Sequence, residues 1–158
     1  MLGTSKSGKI STYKNLSQDY NIDLLNRLNV KTIKFKECNI TIWTYSNPGI
    51  IRTLLKKIYS NVDGIIYAVD SNDRDRIEDG EEDLKQYLAQ EEFKNCVVLV
   101  MAKKQDLKDA LPPDDVSIKM RMENLKGRIW KVIGTSCITG EGIKEGLDWL
   151  VSALLKKE

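Results

Sequence analysis

Gly3-Thr4-Ser5-Lys6-Ser7-Gly8-Lys9-Ile10 stands almost at the start of the chain. Glycines first and sixth with a lysine seventh match the phosphate-cradling pattern G-x-x-x-x-G-K-[ST] at every position but the last. In such a loop the backbone N–H groups converge on a diphosphate, the lysine neutralises the outer phosphates, and the closing hydroxyl binds Mg2+. Ile10 has no hydroxyl. Two glycines and a lysine at this spacing also arise by chance, so the surrounding sequence must decide the reading. A loop of this kind leaves a buried strand and opens a helix. Only Met1 and Leu2 precede it, so that strand is nearly absent, and residues 9–20 are the expected helix despite weak helix formers at Ser11, Thr12 and Asn15.

Outward from there, Asn21 to Asn29 reads as a loop. Val30 to Phe35 and Asn39 to Tyr45, rich in β-branched and aromatic residues and separated by Lys36-Glu37-Cys38, predict a hairpin. Ser46-Asn47-Pro48-Gly49 is a turn, after which Ile51, Leu54, Leu55 and Ile58 fall at helical spacing. From Gly64 onward strand and helix alternate regularly. GIIYAVD and CVVLVMA are apolar without interruption, residues 76–91 form an acidic amphipathic helix, and Pro112-Pro113-Asp114-Asp115 starts another. Arg128 to Gly134 is a third such strand, and Gly142 to Lys156 is a closing amphipathic helix. Strands apolar on both faces imply a covered, mostly parallel sheet. The expected architecture is an α/β three-layer sandwich, a class that binds ligands at the carboxyl ends of its strands.

The chain's 158 residues are enough for one domain with a core of its own. The absence of histidine, and three scattered cysteines (Cys38, Cys96, Cys137), argue against zinc sites, His-based triads and a disulfide framework, and favour a reducing, intracellular setting. Net charge is only +2, but residues 1–60 hold ten Lys/Arg against three Asp/Glu. Such a basic segment meets phosphates or an anionic membrane, or is simply a solvated face. No apolar run reaches the ~20 residues of a membrane span, so a soluble protein is expected.

The motifs GTSKSGK, NVKTIKF, ITIW, GIIYAVDSNDRDR, LVMAKKQDL and TSCITGEGIKEGLDWL stand in an order and spacing that resemble the ADP-ribosylation factor (Arf) family of small GTPases along essentially the whole chain. The resemblance implies the P-loop small-GTPase fold in a single domain, residues 1–158, truncated at its N-terminus relative to the family. It also implies a nucleotide-binding set made of Gly3, Ser5, Lys6, Ser7, Gly8, Lys9, Ile10 and Ser11 with Lys103, Lys104, Asp106, Ser136 and Cys137. Asp106 falls where the family's carboxylate accepts two parallel hydrogen bonds from guanine, and a bidentate carboxylate of this kind discriminates guanine from adenine. Read without the family, the alternative is a cap or turn aspartate.

Departures from the family pattern gather at the metal and at hydrolysis. Ile10, Leu25 and Thr44 stand where the family holds or orients Mg2+, and Ile and Leu offer no oxygen to a hard cation. Ser7 and Ser11 are the hydroxyls nearby that could substitute in part. Pro48 stands where a glutamine orients the attacking water, and it lacks a side-chain amide; Asn47 replaces the glycine before it. Lys103 replaces the asparagine that ties the base loop to the phosphate loop. Leu28, Trp43 and Ile58 retain the family's apolar effector positions, although core packing explains any one of them as well.

The resemblance therefore implies a guanine-nucleotide-binding protein that holds GTP or GDP weakly, has Mg2+ binding in question, lacks fast hydrolysis and binds effectors or regulators of Arf type. It further implies a monomer in the cytoplasm, peripheral to Golgi or endosomal membranes, that meets the membrane indirectly or through a segment before residue 1 and engages no nucleic acid. Two alternatives stay open: a working GTP-hydrolysing switch with unusual ligands, and a scaffold that binds no nucleotide.

Overall fold

The structure is a computed structural model that describes residues 1–3, 28–35, 38–45 and 62–156. Four strands make one parallel sheet in the order β1 (Leu2–Gly3), β4 (Gly64–Asp70), β5 (Val97–Lys103), β6 (Trp130–Gly134). β2 (Leu28–Phe35) and β3 (Cys38–Tyr45) form a separate antiparallel pair. Helices α1 (Arg76–Leu88), α2 (Pro113–Lys119) and α3 (Ile143–Leu155) alternate with the later strands. This is the expected covered α/β sheet.

Period-two alternation divides the core. Ile65, Tyr67 and Val69 of β4 join Val98, Val100 and Ala102 of β5 on the face covered by Ile77, Leu84 and Leu88 of α1 and Val116 of α2. The intervening residues, Ile66 with Val97, Leu99 and Met101, face Leu147, Leu150 and Ala153 of α3. Adjacent side chains on a strand point to opposite faces, and the register Ile65↔Val98 through Asp70↔Lys103 keeps the two sets apart. Hence both strands read as unbroken apolar runs: each residue has a helix to meet. Burying an aliphatic side chain of this size contributes about 1.5–3 kcal/mol.

Several boundaries differ from the sequence reading. The hairpin is longer than expected, because Leu28 and Asn29 already pair with Tyr45 and Thr44, and Cys38 pairs with Phe35 instead of lying in the turn. Ladder bonding overrides the loop preference of Asn29. Helix α1 stops at Leu88, short of residue 91, and a single 3-10 turn, Glu91–Phe93, follows. There the Arg128 guanidinium donates to the carbonyls of Leu88 at 2.9 Å and Phe93 at 2.6 Å, which removes Arg128 from the strand and leaves Trp130 as its first residue. Among the described residues β1 pairs with β4, through Leu2↔Tyr67 and Gly3↔Ala68. The helices read at 9–20 and around Ile51–Ile58 lie outside the described residues. Among those described, no helix is long and apolar enough to cross a membrane.

Candidate functional site

The parallel strands β4, β5 and β6 end on one side, and their last residues form a continuous rim. At the end of β4, buried Asp70 accepts the backbone N–H of Asn72 on Oδ1 (3.1 Å) and pairs through Oδ2 with Lys104 Nζ (2.5 Å). The Ser71 N–H donates to the Lys103 carbonyl at 3.2 Å, carrying the tie between these strands one residue past the sheet. Lys104 takes a left-handed conformation (φ 65°), which turns the chain sharply away from β5. The ion pair with Asp70 holds the side chain at that turn.

The β5 and β6 ends are joined as closely. The Thr135 N–H donates to the Ala102 carbonyl (2.8 Å) and the Gln105 N–H to the Thr135 carbonyl (3.2 Å), while Gln105 Nε2 reaches the Leu111 carbonyl at 2.9 Å. Ser136, 0% exposed, donates its hydroxyl to Asp106 Oδ1 at 2.5 Å. Ser136 Oγ in turn accepts the N–H groups of Ile138 (3.1 Å) and Thr139 (3.2 Å). The Asp106 carboxylate is thus fixed from the neighbouring loop, and a carboxylate held in this way can receive parallel donors from a planar ligand. Lys103 is 1% exposed, and its ammonium donates to Cys137 Sγ at 2.8 Å. A buried ammonium requires a polar partner, and the sulfur is one.

Glycine makes the next turn possible. Gly142 has φ +72°, and a Cβ there would lie 1.9 Å from the Gly134 carbonyl oxygen. Its own carbonyl accepts the Gly146 N–H (2.9 Å), opening α3 immediately behind the Ser136 loop. Gly146 lets that helix lie close to β5, since a Cβ there would be 3.3 Å from Leu99 Cδ2.

Of the residues named from sequence, Lys103, Lys104, Asp106, Ser136 and Cys137 meet along this rim. Gly3 stands opposite Ala68 in the sheet. Ser5, Lys6, Ser7, Gly8, Lys9, Ile10, Ser11, Leu25, Asn47, Pro48 and Ile58 lie outside the described residues. Thr44 pairs with Asn29, Trp43 with Val30 and Leu28 with Tyr45 in the hairpin ladder. Sequence reasoning missed Asp70, the partner of Lys104. Its signal was a lone carboxylate closing the apolar run GIIYAVD.

The sequence model of the ADP-ribosylation factor family matches residues 1–154. The chain belongs to that family. Among solved structures it is similar to the Arl6 (BBS3) small GTPase from Trypanosoma brucei with bound nucleotide analogue GppNp. The TM-score is 0.87 at 22% identity, over 100% of this chain and 96% of that one. At that identity the likeness is one of fold. The ADP-ribosylation factor family is one of small GTP-binding proteins, and in open α/β sheets ligands bind outside the carboxyl ends of the strands, the end at which Asp70, Lys104, Asp106 and Ser136 lie.

Proposed function

We propose that this ADP-ribosylation factor family chain binds guanine nucleotide weakly, has lost the metal and hydrolysis positions of a switch, and acts by engaging protein partners in vesicle or protein trafficking. The observation that carries the nucleotide half is the bond from Ser136 to Asp106, which presents the remaining lone pairs of the carboxylate to a base. Guanine offers a ring N–H and an amino N–H side by side to such a pair; adenine does not. Lys104, anchored on Asp70, and Lys9 would supply the cations around the nucleotide. Mg2+ does not fit the donor set: Ile10 and Leu25 carry no oxygen, leaving Thr44 as the only hydroxyl among the three positions. Leu28, Trp43 and Ile58 are the proposed effector contacts, on the cytoplasmic side of Golgi or endosomal membranes.

Denaturing the purified protein and chromatographing the supernatant tests the reading, together with calorimetry against GDP and ADP. GDP should bind in preference to ADP, and adding EDTA should change its affinity little. Equal binding of the two would sink the specificity. A large EDTA effect would overturn the loss of metal.

Hydrolysis gives a separate test. Phosphoryl transfer needs a cation bridging the β- and γ-oxygens and a group orienting water. Single-turnover assays should find GTP hydrolysis absent or very slow in the unmodified chain and in Pro48→Gln alone. Ile10→Thr, Leu25→Thr and Thr44→Asp should be needed beside it, with strongly non-additive effects. A family-like rate in the unmodified chain, abolished by EDTA, would rule out the degenerate reading.

A further inference from the structure

Lys103 and Cys137 bring two nucleophilic side chains together from different strand ends, with Nζ 2.8 Å from Sγ. Two backbone bonds set that distance, Thr135 N–H to Ala102 and Gln105 N–H to Thr135, so the pair is positioned before any chemistry begins. The two groups differ in access. Cys137 is partly exposed, whereas the Lys103 side chain is buried. Cys96, by contrast, is buried and donates its thiol to the Val62 carbonyl at 2.9 Å.

We propose that Lys103 and Cys137 form an oxidation-triggered cross-link, in which a peroxide converts the Cys137 thiol to a sulfenic acid and Lys103 condenses with it to a sulfenamide. In the first step sulfur attacks a peroxide oxygen; the S–O bond forms, the O–O bond breaks, and the thiol proton leaves with the departing oxygen as water. Sulfur is oxidised by two electrons and the peroxide is reduced. In the second step the Lys103 ammonium gives one proton to solvent and one to the sulfenic oxygen. Its nitrogen lone pair attacks sulfur, S–N forms, S–O breaks, and a second water leaves. Sulfenic acids condense in this manner with backbone nitrogen, and a lysine nitrogen in contact with sulfur is the better placed nucleophile. The product ties the end of β5 to the loop after β6, on either side of Asp106 and Ser136. A thiol reductant reverses it.

The test treats the purified full chain with a modest excess of hydrogen peroxide in the presence or absence of a cyclic diketone that traps sulfenic acids. The expected wild-type product is lighter by two hydrogens, maps to a joined peptide pair carrying Lys103 and Cys137, and returns to the starting mass with dithiothreitol. Lys103→Met and Lys103→Arg should give no joined peptide and should accumulate the diketone adduct at Cys137. Cys137→Ser should give neither. An unmodified wild-type Cys137 overturns the proposal. So does full diketone trapping in wild type without added mass loss, or a loss of hydrogens that maps to a disulfide with Cys38 or Cys96. Should the lysine variants fail to fold, the wild-type peptide map decides alone.

Discussion

Ser136 uses one hydroxyl oxygen three times, donating to Asp106 and accepting from the N–H groups of Ile138 and Thr139. Ser136→Ala strands two backbone donors and frees the carboxylate to rotate, so it should cost about 1–3 kcal/mol of stability, read by urea unfolding. Asp106→Ala keeps the fold but removes a charge-assisted acceptor pair; the preference for GDP over ADP in calorimetry should fall by about ten- to a hundredfold. An unchanged preference would detach Asp106 from base recognition. Tyr67 makes a third prediction at this scale. Burial first, then the nearby Asp83 charge and the 2.9 Å bond to Asp83 Oδ2, push its phenol well above the ordinary range. A raised folded value means that the native state keeps a proton which the unfolded chain loses at about pH 10. Stability should be intact below that pH and fall as pH rises beyond it. Tyr67→Phe should flatten this alkaline slope in denaturant titrations run between neutral and alkaline pH, and an unaltered slope would assign the effect to other groups.

The start of α3 shows how a single element depends on one backbone conformation. Gly142→Ala combines a left-handed residue, worth roughly 1–2 kcal/mol, with a Cβ driven into the Gly134 carbonyl. Gly140→Ala is its natural control, being left-handed at φ +80° with nothing within 4 Å. The Gly142 variant should lose clearly more stability than the Gly140 variant, and equal losses would mean that the Gly134 carbonyl gives way freely. At this scale the sequence was most legible where burial is symmetric: β4 and β5 announce themselves because helices cover both faces. It was least legible where a distant side chain meets the end of an element, since Arg128 caps the last carbonyl of α1 from 40 residues away. The same holds at the rim. Asp106 could be read from the KQD motif, whereas its Ser136 bond, the Asp70 to Lys104 pair and the Lys103 to Cys137 contact each link residues 30 or more apart and leave no local pattern.

The described residues form two sheets of opposite construction, and Phe35, packed against the α3-side cluster, is a side chain of the hairpin that touches the core. Their geometry gives them different responses to mechanical load. The chain enters and leaves the hairpin at Leu28 and Tyr45, which face each other across the ladder. Tension drawn through those two ends acts along the hydrogen bonds, which lie perpendicular to antiparallel strands, and so opens them one after another like a zipper. In the parallel block the seven register pairs between β4 and β5 run the same way, so tension from opposite ends loads them in shear and all must yield together. Tension applied across Leu28 and Tyr45 should therefore open the hairpin gradually at low force, whereas tension applied across Gly64 and Lys103 should part β4 from β5 in one larger step. Optical-trap traces with handles at those pairs of positions would register the difference, and equal forces would contradict it. The rim carrying Asp106 is then built on the pairing that yields last under load.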